Sequence, residues 1–193
     1  MSQKILEIRW HGRGGQGAKT AALLFADAAL SLGKYIQAFP EYGPERMGAP
    51  VQSFNRVADE PLTLHSGITN PQIVIVLDPT FLGTVDVTAG LPDDGILIVN
   101  TPKAPKEIRA KLGLKGAKVY TVNASQIAKE TIGRPIPNTP MLGALVRIAK
   151  VLDFDRMVAD VEKKLKKKFA NKLEVVAGNI SAIKRAADEI VSE

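Results

Sequence analysis

A chain of 193 residues that is 45% hydrophobic and 24% charged has the size and composition of a folded domain, not of a disordered segment. It contains no cysteine, which excludes a disulfide framework, a zinc–thiolate site, a cysteine nucleophile and thiolate-held iron–sulfur clusters within this chain. The net charge is +6, with 17 basic and 12 acidic side chains in residues 1–150 against 9 and 8 in residues 151–193. The excess is therefore not a basic tail, and the main body suits an anionic ligand or an acidic partner surface.

In chain order, residues 4–10 carry Ile5, Leu6, Ile8 and Trp10 in the alternation of a strand. The loop Gly12-Arg13-Gly14-Gly15-Gln16-Gly17 follows. Ala18, Ala21, Ala22, Phe25, Ala28, Ala29 and Leu32 then repeat at the spacing of one apolar helix face, and Gly33 supplies the stop signal. The alanines let this helix lie close to a sheet. A second strand is expected over 34–39. A loop punctuated by Pro40, Gly43, Pro44, Gly48 and Pro50 carries Glu41, Glu45 and Arg46, and 51–57 forms a third extended segment.

The apolar runs 73–77, 95–99 and 118–122 suit strands buried on both faces of a mainly parallel sheet. Between them lie helix patterns at 105–112 and 125–132. Thr139-Pro140 reads as an N-cap followed by proline at the first helical position, opening a helix to about 152. Two amphipathic helices are expected over 155–169 and 173–191. Strands alternating with helices give the α/β class: a mainly parallel sheet with flanking helices, a Rossmann-like layered domain. The C-terminal helical pair, about 155–191, is expected to pack on it within one domain spanning 1–193, because two helices bury little by themselves.

The strand–glycine loop–helix segment has the form of a phosphate cradle. Glycines let backbone N–H groups approach an anion at a helix start. Gly12, Gly14 and Gly17 satisfy G-x-G-x-x-G, but a dinucleotide fingerprint also needs an acidic residue ending the second strand. Glu41 is near that place, inside a Gly/Pro loop. No Gly-Lys-Ser/Thr follows, so the segment is not a Walker loop. A tight turn that binds nothing is the competing reading. Arg13 and Gln16, polar groups at the carboxyl end of a strand, weigh against it.

Two segments carry a family resemblance. They are Glu7-Ile8-Arg9-Trp10-His11-Gly12-Arg13-Gly14-Gly15-Gln16-Gly17 and Gln37-Ala38-Phe39-Pro40-Glu41-Tyr42-Gly43-Pro44-Glu45-Arg46-Met47-Gly48-Ala49-Pro50. Together with Asn138-Thr139-Pro140-Met141-Leu142-Gly143-Ala144, they closely resemble the gamma subunit of 2-oxoacid:ferredoxin oxidoreductases of the pyruvate and ketoisovalerate types, over about residues 4–190. Met47 departs from the pattern, where arginine is frequent. The resemblance implies a multi-subunit enzyme that converts a 2-oxoacid and coenzyme A to acyl-CoA and CO2 and reduces ferredoxin. It implies alpha, beta and delta partner subunits, with thiamine diphosphate, magnesium and [4Fe-4S] clusters on those partners. This chain would contribute to coenzyme A binding and to assembly, and would be inactive alone. A cysteine-free chain fits a non-redox role.

Carried over residue by residue, the resemblance makes Gly12, Gly14, Gly15 and Gly17 the backbone turn. Arg13 and Gln16 would orient a phosphate or a partner group, and Glu45 and Arg46 would contact a neighbouring subunit or ligand. No catalytic residue and no metal ligand is assigned. His11 reads as a hydrogen-bonded structural histidine, and Asp78 and Asn100 as site residues or helix caps. The run Lys163, Lys164, Lys166, Lys167 and Lys168 reads as the wet face of a helix, with partner docking as the alternative. Two further functional readings stay open: a stand-alone NAD- or FAD-binding oxidoreductase and a purely structural assembly subunit. Scarce aromatics argue against nucleic acid as a partner. No apolar run reaches the roughly 18 residues of a membrane span, and the first residues lack a signal-peptide pattern, so a cytoplasmic location is expected.

Overall fold

The computed structural model describes residues 5–41 and 48–193. Seven strands form one sheet in the order β2-β3-β1-β4-β5-β6-β7. They are β1 (Leu6–Arg13), β2 (Tyr35–Glu41), β3 (Pro50–Ala58), β4 (Ile73–Val76), β5 (Ile96–Asn100), β6 (Lys118–Val122) and β7 (Val191–Ser192). The centre β1-β4-β5-β6 is parallel, in line with the expected α/β layering. Both edges are antiparallel: β3 pairs with β1 and with β2 on one side, and β7 with β6 on the other.

The helices are α1 (Ala18–Ser31), α2 (Pro105–Leu112), α3 (Ala124–Ile132), α4 (Asn138–Ala149), α5 (Phe154–Lys168) and α6 (Leu173–Glu189). One face of the sheet, through Ile8, Trp10, Ile73, Ile75 and Ile98, joins the apolar sides of α1, α3, α4, α5 and α6 in a single core. The other face, through Val74, Val76, Leu97, Val99 and Val119, packs on Ile108 of α2 and on Phe81, Leu82 and Val87 of the loop after β4. Two-sided burial is why β4 and β5 read as continuous apolar runs instead of alternating ones.

Several boundaries differ from the sequence reading. β1 runs three residues past Trp10, because Gly12 and Arg13 stay paired with Val51 and Pro50. The helix expected to begin behind a Thr139 cap instead begins at Asn138, and no side chain caps it. Thr139 lies inside the first turn and donates its hydroxyl to Asn179 Oδ1 of α6 at 2.9 Å. The last helix stops at Glu189, and Val191–Ser192 turns into a strand that covers the β6 edge.

Two buried polar links hold the antiparallel half together. Asn55 of β3, fully buried, accepts from the Trp10 indole at 2.8 Å and donates to the Ala22 carbonyl of α1 at 3.0 Å. It thereby fixes the helix against the sheet through groups that burial would otherwise leave unsatisfied. On the opposite face, buried Arg56 pairs with Glu7 and donates to Gln37 Oε1 and to the Ser66 carbonyl, which pins the segment after β3. The α4–α6 crossing is close. A Cβ on Gly143 would stand 2.1 Å from the Ile183 carbonyl oxygen, so only glycine fits that contact.

Candidate functional site

β1 delivers Gly12 and Arg13 to the carboxyl end of the parallel strands, next to the end of β4. The turn proper is Gly14–Gly17. It closes through Gly14 N–H to the Ala49 carbonyl (3.2 Å) and Gln16 N–H to the Arg13 carbonyl (3.0 Å). The Gln16 side chain folds back so that its Oε1 accepts from Arg13 N–H at 2.7 Å. Gly15 and Gly17 sit at φ +94° and +81°, in the region that disfavours residues bearing Cβ. Gly17 is also the residue before α1, and no side chain caps that helix. The first turn of α1 points its backbone N–H groups, and the positive end of the helix, toward the loop.

The polar side chains of the turn converge on Asp78, at the end of β4. Asp78 Oδ2 accepts from Arg13 Nε at 2.7 Å and from Gln16 Nε2 at 3.0 Å. Its Oδ1 accepts from the backbone N–H and the hydroxyl of Thr80, at 2.9 and 2.7 Å. Arg13 also donates to the Gly48 carbonyl and to Thr80 Oγ1, and its guanidinium lies 4.6 Å from the centre of the Phe81 ring. Burial pushes the Asp78 carboxyl upward. The Thr80 hydroxyl and amide, with Gln16 and Arg13, outweigh this and hold it below the ordinary aspartate value. Of the two readings open for Asp78, the geometry shows the cap, on the short turn Pro79–Phe81, and adds an anchor for the glycine loop.

This network qualifies the sequence reading of Arg13 and Gln16. They are held side by side at the loop, but both already serve a carboxylate. A ligand phosphate at this place would meet backbone N–H groups first and a guanidinium whose charge Asp78 half neutralises. Glu45 and Arg46 lie outside the described residues.

Gly17 has a second constraint. A Cβ there would fall 2.6 Å from Asn138 Nδ2. The starts of α1 and α4 therefore abut, with Asn138 Oδ1 accepting from Thr139 N–H at 2.8 Å. Nothing in the sequence marked this contact; both motifs were visible, their meeting was not.

The remaining candidates are structural in their surroundings. His11 is buried and its Nε2 accepts from Arg9 Nε at 3.0 Å. Burial, followed by the nearby Arg9 charge, brings its pKa down to about 4, against a smaller opposing effect of Asp86. Arg9 donates onward to the Val87 and Ala89 carbonyls. Asn100 donates to the Leu77 carbonyl and to Ser125 Oγ, and accepts from Ser125 N–H in the first turn of α3. The lysine run lies along α5, where Lys164 pairs with Asp160 and Lys166 with Glu162. Among the described residues no group of three or more His, Cys, Asp or Glu side chains is arranged to hold a metal ion, and no helix is long and apolar enough to cross a membrane.

Glu41 does not take the ribose-binding place of a dinucleotide fold. β3 lies between β2 and β1, so the end of β2 is two strand spacings, about 10 Å, from the glycine loop.

Comparison with known proteins agrees with this architecture. The family model described as pyruvate ferredoxin/flavodoxin oxidoreductase matches residues 7–189. The chain is 47% identical over 190 residues to pyruvate synthase subunit PorC of Thermotoga maritima, covering 98% of this chain and 97% of that one. It is 48% identical over 169 residues to the pyruvate/ketoisovalerate oxidoreductases common subunit gamma of Pyrococcus abyssi, covering 88% and 89%. The crystal structure of the pyruvate oxidoreductase subunit PORC from Thermotoga maritima superposes with a TM-score of 0.87 at 46% identity, covering 99% of both chains.

Proposed function

The chain belongs to the pyruvate ferredoxin/flavodoxin oxidoreductase family, and from that premise we propose how it serves the enzyme. It is a gamma-type subunit of a multi-subunit 2-oxoacid, pyruvate-type, ferredoxin oxidoreductase. Such an enzyme oxidatively decarboxylates the 2-oxoacid with coenzyme A, giving acyl-CoA, CO2 and reduced ferredoxin. This chain contributes the glycine loop to coenzyme A handling and to assembly with the alpha, beta and delta subunits. Thiamine diphosphate, magnesium and the [4Fe-4S] clusters belong to those partners. A chain without cysteine has no thiolate to offer a cluster.

One observation carries the coenzyme A reading. The uncapped start of α1 opens on a glycine turn whose flank is a guanidinium fixed by Asp78. Backbone N–H groups at a helix start, with a cation held beside them, suit the diphosphate of a nucleotide coenzyme. In this role Asp78 and Gln16 keep the turn in shape, the amides contact the anion, and Arg13 borders it. Among the described residues, the side chains at this turn serve to hold its shape and border the anion.

A second reading rests on the same network. Because Arg13 and Gln16 already have partners, the loop also suits a rigid wedge whose only task is to hold the subunits together. The enzyme reassembled with an Arg13→Ala, Gln16→Ala subunit separates the two. A KM for coenzyme A raised about tenfold, with assembly intact, supports the coenzyme role. Weakened assembly with an unchanged KM supports the wedge. Coenzyme A binding that weakens as salt rises would agree with the first, since screening acts within about 10 Å at 0.1 M.

A further inference from the structure

A cleft of about 890 Å³ opens on the helical face of the molecule, and none of the Asp78 network's side chains lines it. Its walls are the outer side of α1, the α3–α4 connection, the end of α5 and the start of α6. Leu24, Ile132, Ile136, Leu165, Phe169 and Val175 give it an apolar lining. Four cations also line it: Arg134, Lys164, Lys168 and Lys172. Asp27 is the one carboxylate among the described lining residues. Lys164 is engaged by Asp160 and Ser31, and Lys168 lies 5.6 Å from the centre of the Phe169 ring. The first turns of α4 and α6 face the cleft through Asn138, Thr139 and Val175, and neither N-cap residue, Pro137 or Lys172, makes a side-chain cap. Leu30 on the rim and Leu173 beside Lys172 are 65% and 62% exposed.

This volume is within the range of small-molecule sites, which are mostly apolar with a few convergent polar groups. Four cations and one carboxylate line the cleft, and with Lys164 already answered by Asp160 the balance among its described lining residues stays positive through Arg134, Lys168 and Lys172. A purely apolar occupant would leave the cations unanswered. A bare anion would leave the apolar walls wet.

We propose that this cleft binds a phosphate-bearing amphiphile, with its phosphate among Lys168, Lys172 and Arg134 and its apolar arm along Leu24, Ile136 and Leu165. The cleft meets the glycine loop at one end, where Asn138 packs on Gly17, and its cations come from other segments, the α3–α4 connection, the end of α5 and the start of α6, so the proposal stands whether or not the loop contacts coenzyme A. Two sources share this chemistry: a coenzyme with a pantetheine arm and a phosphate with a fatty chain.

The test is calorimetric titration of the full chain with octyl phosphate, coenzyme A and inorganic phosphate, for the wild type, for Lys168→Gln with Lys172→Gln, and for Ile136→Asn. Binding of octyl phosphate or coenzyme A at one site per chain is expected. The double lysine variant, which changes only exposed side chains, should weaken it at least tenfold. Ile136→Asn should weaken the amphiphile and leave inorganic phosphate unaffected. Octyl phosphate binding alone would identify a fatty-chain phosphate, and coenzyme A binding alone the coenzyme. Failure of both ligands to saturate one site would overturn the proposal, as would a lysine variant that binds like the wild type. So would protection of Lys168 and Lys172 from acetylation in the assembled enzyme without added ligand, because a partner chain would then fill the cleft. Coenzyme A affinity that falls with Arg13→Ala but not with the lysine variant would assign the coenzyme to the glycine loop and leave octyl phosphate to decide the cleft.

Discussion

Asp78 Oδ2 lies 2.7 Å from Arg13 Nε, across 65 residues of sequence, and with Gln16 on the same oxygen this pair ties the glycine loop to the segment after β4. The carboxylate lies two residues past β4 and the guanidinium ends β1, so two parallel neighbours are tied together where the loop begins.

Replacing Asp78 by Asn keeps the shape and removes the charge. Arg13 is 37% exposed in this pair, so screening limits the loss to about 1 kcal/mol of stability by urea denaturation. The larger effect should be on placement: Arg13 is freed, and the KM for coenzyme A in the reassembled enzyme should change more than kcat. The acid limb offers a second check. The Asp78 value is lowered in the folded state, so its contribution is fully present above the unfolded value of about 3.9 and is lost as pH falls through the folded value. The Asn variant should lack that increment.

His11 predicts a pH effect in a different window. Its folded pKa is lowered to about 4 from 6.5, so between these values the unfolded chain binds the extra proton and acid favours unfolding. Stability is complete above about pH 6.5 and declines toward pH 4, by about 3 kcal/mol at most. His11→Asn, which still offers Arg9 an acceptor, should flatten this part of the stability curve. An NMR titration placing the His11 midpoint near 6.5 would refute the assignment.

Gly17→Ala should destabilise the chain by about 1–3 kcal/mol, for two reasons that can be separated. One is its positive φ; the other is the Asn138 side chain 2.6 Å from the new Cβ. In an Asn138→Ala background the steric part should shrink to the 3.0 Å approach of the Cβ that alanine keeps, and the backbone part remain. A double-mutant cycle with no coupling between the two positions would contradict the contact.

Gly143→Ala should be more damaging, because the obstacle is backbone. The Ile183 carbonyl oxygen stands 2.1 Å from the added Cβ, and α4 and α6 must separate to admit it. A loss of at least about 1–3 kcal/mol is expected in urea denaturation. A variant as stable as the wild type would mean that the two helices cross farther apart.

Much of this architecture was legible from local pattern. The apolar runs of β4, β5 and β6 and the stripe of α1 announce their period, because each reports burial at its own position. Pairing is less local. Nothing in 34–39 or 51–57 tells that β3 comes between β2 and β1, or that the short Val191–Ser192 segment closes an edge. The Thr139-Pro140 cap was misplaced because the hydroxyl finds a partner in α6, 40 residues away, instead of in its own helix. At the site, the glycines and Arg13 were visible as a motif. Asp78 was only one of two strand-end polar residues until the fold brought it under the loop. Asn55 and Arg56 gave no signal, since a buried polar residue in a strand pattern looks like any outward-facing one.

β1, α1, β2 and β3 all fall within residues 6–58, and every strand pairing among them is made inside that stretch. During synthesis the strand pairing of β2 with β3 and of β3 with β1 can be complete before residue 73 exists. The far side of β1, the side chains of Arg9, Arg13 and Gln16, and the outer side of α1 then await later partners, and β4 is the next strand to emerge. The slow, long-range step of building a parallel sheet thus begins on a template already laid down by the nascent N-terminal unit, which lessens the interval in which bare strand edges meet other chains.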